Sequence, residues 1–248
     1  MNNIRRRLLS ATKKDIVLYT KRFYPSGTYY WTVPEGCTEV DVFLVGGGGG
    51  CTGASHYYKY GAGGGYTKTY KSSTSGWRDG GAISVTPGQS ISIRVGKGGS
   101  NGSDGGYSQF MSSSYRANGG GGAYLESTDN APFGYKAGSG GSGGGGFIYG
   151  SADVSGGSDG SDGLGQYPGL GQGHTTRDFG EYSGNRNAGG GGDEEAGGGP
   201  SDYSEGSGED RIGGGGGGYG GGAGASDDVS YGTAGGDGTV LIRYYAYE

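Results

Sequence analysis

Five stretches of this chain carry no side chain for four or more residues in a row: glycines 46–50, 119–122, 143–146, 189–192 and 213–218. Such runs have no hydrophobic periodicity, so they specify neither an amphipathic helix nor a half-buried strand. Glycine supplies 68 of the 248 residues, and the hydrophobic set only 30%. That leaves too little apolar side chain for a conventional enzyme core of this length. Collagen is excluded because the glycines do not recur strictly every third residue. No apolar run approaches the ~18 residues of a membrane-spanning helix. Composition alone permits disorder.

Residues 118–238 hold 46 of the 68 glycines. Glycine lets backbones approach closely. Helices of the polyproline II type have three residues per turn and no internal hydrogen bonds, so their N–H and C=O groups point outward. Packed side by side, polyglycine versions can satisfy those groups between helices. We therefore expect a polyglycine II bundle over 118–237, with the remaining glycines serving turns and edges of a β-domain. Ordering a residue costs about 1–2 kcal/mol, while a backbone hydrogen bond returns a net ~0.5–1.5 kcal/mol. The balance is near zero, so the bundle needs anchoring in a sheet, through Tyr107–Phe110 and Val240–Tyr244.

Residues 23–117 read as β-structure. Val40, Val42 and Leu44 alternate with Asp41 and Phe43, and Ile83, Val85, Ile91, Ile93 and Val95 keep the same period of two. Thr86-Pro87-Gly88-Gln89 is a type II turn signal, and Val33–Gly36 repeats its grammar. Tyr66–Tyr70 and Tyr107–Phe110 are shorter candidates. Thr239–Tyr244 is a strand isolated by about 120 residues; a lone strand is not stable, so it is expected to return to the sheet.

The net charge of −5 is uneven. Residues 1–22 carry Arg5, Arg6, Arg7, Lys13, Lys14, Lys21 and Arg22 against Asp15. A basic arm on an acidic body suggests docking onto a negative surface or nucleic-acid contact; a solvated tail is the plain alternative. Leu8-Leu9 falls far short of the 7–15-residue apolar stretch of a signal peptide, so folding in a cytoplasm is expected. Residues 38–45 extend roughly 26 Å as a strand at ~3.3 Å per residue. The six residues that follow reach back about 20 Å at most. Cys51 therefore stays outside the ~7 Å Cα limit for a disulfide with Cys37, and both thiols are expected free.

Glycine-based catalytic motifs carry no weight here, since GxGxxG should occur about five times by chance at this composition. Gly96-Lys97-Gly98 lacks the hydroxyl of a phosphate loop. Gly140–Gly144 around Ser142 fits a nucleophile elbow in pattern but has no strand–turn–helix context. His56 and His174 lie in unrelated surroundings. Gly157–Leu164 is one imperfect copy of a calcium-binding nonapeptide, a site that needs stacked repeats. No cofactor, metal or catalytic residue is expected. The segments between glycine runs concentrate Tyr, Ser, Asn and Asp, a vocabulary suited to binding surfaces. Tyr124, Phe133, Tyr135, Phe147, Tyr149, Tyr167, Phe179, Tyr182 and Tyr203 are the candidate contact residues. Capping of glycine backbone is the structural alternative for each.

Trp31–Gly36, Val40–Gly50, Gly64–Lys68, Val85–Ile91, Val95–Gly99, Gly106–Phe110, Ala117–Gly122 and Gly238–Tyr244 together resemble the glycine-rich domain proteins of bacteriophage tails and prophages. The likeness covers about residues 28–122 and 235–245. It implies a small antiparallel β-sandwich fused to glycine-rich structure, displayed on a tail fibre or other virion surface. Phage adhesins built from polyglycine II sandwiches look like the second half in kind, with host-contacting loops.

The expected protein is all-β: an arm at 1–22, a sandwich at 23–117 completed by 238–247, and polyglycine II structure at 118–237. No substantial α-helix is expected outside the arm. It would be a non-enzymatic virion component, docked to other virion proteins through Arg5, Arg6, Arg7, Lys13 and Lys14. The glycine region would contact host polysaccharide or protein. A homo-oligomer, with a trimer as one form, is expected, and neither nucleic-acid binding nor membrane insertion. The alternatives are a purely structural virion component (spacer, head fibre or assembly interface) and a bacterial surface or matrix protein.

Overall fold

The computed structural model describes residues 14–52, 58–125, 135–148, 156–157, 160–192, 219–224 and 233–248. In chain order its strands are β1 (Ile16–Phe23), β2 (Gly27–Thr32), β3 (Glu39–Val45), β4 (Tyr58–Tyr60), β5 (Thr67–Tyr70), β6 (Ile83–Ser84) and β7 (Ser90–Val95). They continue with β8 (Ser108–Phe110), β9 (Arg116–Ala117), β10 (Tyr124–Leu125), β11 (Tyr135–Lys136), β12 (Gly146–Ile148) and β13 (Thr239–Tyr247). A single 3-10 turn, Asp178–Gly180, is the helical element among the described residues.

Two antiparallel sheets form the sandwich, in the orders β1-β13-β3-β5, with β6 on β3, and β2-β7-β8-β9. Period-two alternation puts Val40, Val42, Leu44, Val240 and Ile242 on the inner face of the first sheet. Trp31, Ile91, Ile93, Val95 and Phe110 line the second. Trp31 crosses between them, with its ring centroid 5.0 Å from Tyr244 and 6.3 Å from Phe110. The C-terminal strand does return, and it enters the sheet centrally, between β1 and β3. Gly88 turns with φ +82° and the Gln89 N–H donates to Thr86 O at 3.0 Å. The matching turn before β3 is shifted by one residue: Cys37 N–H donates to Pro34 O, and Gly36 takes φ +83°.

The arm ends earlier than its charge suggests. Residues 16–22 belong to β1, paired from Ile16↔Tyr247 to Phe23↔Val240. Val17 and Tyr19 alternate with exposed Ile16 and Leu18, so the strand pattern is present beneath the positive charge of Lys21 and Arg22.

The glycine runs form a second core made of backbone. N–H groups of Gly46 and Gly49 donate to Tyr66 and Gly63, those of Gly47 and Gly50 to Gly106 and Ser103, and those of Gly48 and Cys51 to Gly236 and Thr233. Every third residue thus meets the same neighbour, which is the three-residue turn of a polyglycine II helix. The carbonyls complete the ring. Gly47 and Gly50 accept from Gly120 and Ala123, Gly48 from Gly99, and Gly49 from Ala223. One run of glycines is bonded to six surrounding segments. Residues 61–66 repeat the arrangement, donating to 142–145, 220–223 and 118–121 and accepting from 138–141, Gly191 and 46–49.

This corrects the division at residue 117. Glycines 46–50 and 61–65, in the sequence half assigned to the sandwich, sit at the centre of the bundle, and strands of both sheets run straight into it. Val45 leads to Gly46, Val95 to Gly96 and Ala117 to Asn118, while Tyr66, Gly106–Tyr107 and Gly238 lead into β5, β8 and β13. The anchoring that the energetics demand is supplied at six strand ends rather than two.

At the junction the hydrogen-bond directions change from a period of two to a period of three, and side chains satisfy what the backbone does not. Ser108 Oγ, fully buried, donates to Val45 O at 2.6 Å and accepts from Gly96 N at 2.9 Å. Asp237 accepts from Gly98 N at 2.9 Å and Ser26 N at 3.0 Å. Burial alone would raise the Asp237 carboxyl, but these N–H donors and the Lys97 charge outweigh it and hold it below the usual range. A depressed carboxyl stabilises the fold above its unfolded pKa of ~3.9 and loses that contribution as the pH falls through the lower folded value. Asp237→Ala is expected to cost about 2 kcal/mol at pH 7. Urea midpoints should show the gap to wild type closing as the pH falls below about 4.

Candidate binding face

Each outgoing run ends at the side of the bundle away from the sandwich. Cys51 bridges Ala123 and Thr233 there, and Ala62 N–H donates to Ala223 O. Cys51, Tyr60, Ala62, Ala123, Ala137 and Ala223 form a small buried cluster. From this end the backbone continues into two short ladders. β10 pairs with β11 (Tyr124↔Lys136), and β12 pairs with β4 (Gly146↔Tyr60). The residues that bound segments 53–57, 126–134, 149–155 and 225–232 therefore share one end of the molecule. Gly191, one residue from the last residue described before 193–218, is bonded to Ala62 and donates nothing to the sandwich.

The candidate contact residues divide accordingly. Tyr124, Tyr135 and Phe147 lie on strands of this far end. Phe133, Tyr149 and Tyr203 lie outside the described residues, as do Arg5, Arg6, Arg7 and Lys13. Tyr167 is exposed in a lateral loop beside Leu164 and Leu170. Tyr182 is almost wholly exposed, at 93%, but stands over the sandwich with Arg177 5.7 Å from its ring. Lys14 is engaged within the chain: its Nζ is 2.5 Å from Glu35 Oε2 and lies over the Tyr247 ring.

Phe179 is a correction to the expected surface set. Its ring is 5% exposed and packs in a cluster with Phe43, Val45, Ala188 and Leu241 on the outer face of the first sheet. Residues 172–188 cross that face as a strap. Arg22 pairs with Asp178 at 3.2 Å, and Arg243 bridges Glu181 (2.8 Å) and Asp41 (3.1 Å) with its guanidinium over the Phe179 ring. Burial pushes the Asp178 carboxyl up, and Arg22, Asn187 and Asn185 counter it only in part. Trp77 stacks on His174 at 4.3 Å and secures the strap's start.

Both cysteines are free and buried. The Cys51 thiol has Tyr60 O (3.0 Å) and Thr52 O (3.1 Å) as acceptors within reach of its one proton, and burial pushes its pKa up to about 12; burial also raises Cys37. Neither has the depressed pKa of a nucleophilic thiol. Among the described residues no group of three or more His, Cys, Asp or Glu side chains is placed to hold a metal, and no helix is long and apolar enough to cross a membrane. Asp162, from the nonapeptide-like stretch, accepts from Gly171 N at 2.7 Å.

One polar cluster is not foreshadowed by the sequence. Register aligns Thr28, Arg94, Gln109 and Arg116 in a row across the outer face of the second sheet. Tyr107, two residues before Gln109, has both guanidinium carbons 4.0 Å from its ring centroid. The only signal for it in the sequence is arginine at polar positions of strands whose pairing the sequence does not reveal.

A sandwich whose strands continue into six-neighbour glycine helices defines a class of glycine-rich β-protein with a core of backbone. The chain belongs to the glycine-rich domain family, whose model matches residues 24–245. A search of the curated proteins finds no match.

Proposed function

We propose that the protein is a non-enzymatic component of a bacteriophage virion, on its tail or fibre, whose glycine bundle holds Tyr-, Ser-, Asn- and Asp-rich segments against the host surface. One observation carries this reading: the residues bounding four of those segments converge at the end of the bundle opposite the sandwich. A backbone core suits the task, because it fixes the residues that bound these segments while leaving the segments free to vary in sequence. Host polysaccharide or protein is the partner at that end. The basic residues Arg5, Arg6, Arg7 and Lys13 serve docking to other virion proteins, in a homo-oligomer. The burial of Phe179, one of the candidate contact residues, favours a second reading, a spacer without receptor contact.

The test is the triple variant Tyr124→Ala/Tyr135→Ala/Tyr149→Ala in the phage. Adsorption should fall by about tenfold or more, as for loss of interface hot spots, at unchanged particle yield. Unchanged adsorption by intact particles would leave the spacer reading, and absence of the chain from purified particles would overturn the virion assignment.

A further inference from the structure

Beside the Arg94–Tyr107–Arg116 cluster, at the seam between the second sheet and the bundle, lies a cavity of about 500 Å³. Tyr66, Asp104, Tyr107, Arg116, Asn118 and Ser139 contribute to its lining, with the backbone of Gly105, Gly106 and Gly119 between them. We infer that this cleft is a binding site for a carboxylate-bearing saccharide, with Arg116 of its lining receiving the carboxylate and Arg94, bonded to the Tyr107 hydroxyl beside it, adding positive charge. The inference does not depend on the host-contact reading above, which concerns the opposite end of the bundle.

The charge arrangement supports it first. Arg94 and Arg116 are exposed, reach Tyr107 from the strands on either side of β8, and are within ion-pair distance of no carboxylate among the described residues. Arg94 donates to the Tyr107 hydroxyl at 2.7 Å and Arg116 Nε to Asn118 Oδ1 at 3.0 Å. These contacts orient both planar guanidinium groups and leave further N–H donors for an oxyanion, the geometry that suits bidentate recognition. Each cation is held against the Tyr107 ring by its π face, so positive charge is fixed at the edge of the cleft where a ligand carboxylate would meet it.

The rest of the lining selects the remainder of the ligand. Tyr, Ser and Asn side chains offer donors and acceptors to hydroxyls, on a scale that fits a short run of sugar rings. Asp104 is spoken for by Gly122 N at 2.9 Å, yet its charge still stands in the cleft. A dense polyanion such as a nucleic acid would meet that carboxylate and a net charge of −5; a chain with spaced carboxylates and many hydroxyls fits both.

Calorimetric titration of the full-length protein with oligogalacturonate and oligomannuronate, their methyl esters and inorganic phosphate tests this. At least one acidic oligosaccharide should bind, weakening as salt rises, and its methyl ester should bind at least about tenfold more weakly. Arg94→Gln/Arg116→Gln should reproduce that loss while thermal unfolding stays unchanged. If the double variant does not fold, Tyr107→Phe, which removes only the hydroxyl that Arg94 donates to, should weaken binding severalfold. Equal binding of acid and ester, full affinity in the folded variants, phosphate binding as tightly as the oligosaccharide, or binding by none of the probes would each overturn the assignment.

Discussion

Replacing Gly48 by alanine is expected to remove most of the protein's stability, although it adds one methyl group. A Cβ at this position would stand 1.9 Å from Gly221 O and 2.8 Å from Gly220 O. These are backbone atoms of a neighbouring helix, so no rotamer change relieves the contact. Separating the helices breaks the bonds from Gly48 N to Gly236 O and from Gly99 N to Gly48 O, and each buried polar group left unpaired costs ~1–3 kcal/mol. With the strain of overpacking, ~1–3 kcal/mol, the total is on the order of 5 kcal/mol, comparable to the whole stability of many domains. Gly81 is the control: nothing lies within 4 Å of the place its methyl group would take, and its φ is not positive. Gly81→Ala should stay within about 0.5 kcal/mol of wild type. Chemical denaturation of the two variants side by side gives the comparison.

Phe179→Ala should cost about 3 kcal/mol or more in the same measurement, in line with other buried Phe→Ala changes. The ring's burial against Phe43 and its stacking under Arg243 offset a backbone cost, since Phe179 adopts φ +50°, a left-handed conformation unusual for a bulky residue. Truncation keeps that cost and removes what offsets it. Tyr182→Ala, three residues on and 93% exposed, should leave stability unchanged. The contrast separates a strap that holds the first sheet from a loop kept for binding.

Much of the sandwich was legible in the sequence because its strands alternate. Val40, Val42 and Leu44 point inward where the period of two puts them, and Thr86–Gln89 turns where Pro and Gly demand. The bundle was legible in kind but not in extent. Its period of three lives in hydrogen bonds between segments, and glycines 46–50 display no side chain by which to announce which segments those are. The same five residues could equally have been a loose loop after a strand. β1 was hidden for a different reason: Lys21 and Arg22 read as part of a charge run, while Val17 and Tyr19 needed the C-terminal strand beside them to become an inner face. Phe179 looked like an exposed aromatic in a polar loop. Its burial depends on Phe43 and Leu241, which lie 136 and 62 positions away and whose outer face the alternation alone assigned to solvent.

A backbone-only core, centred on residues 46–50 and 61–65, should be as firmly ordered as the sandwich. Native-state amide hydrogen exchange of glycine-labelled protein reads it directly. The amides of Gly46–Gly50 and Gly61, Gly63, Gly64 and Gly65 should exchange only through global unfolding, with the same opening free energy as Val42 and Leu44 in β3. Exchange of those glycines at unprotected rates, while β3 stays protected, would contradict it.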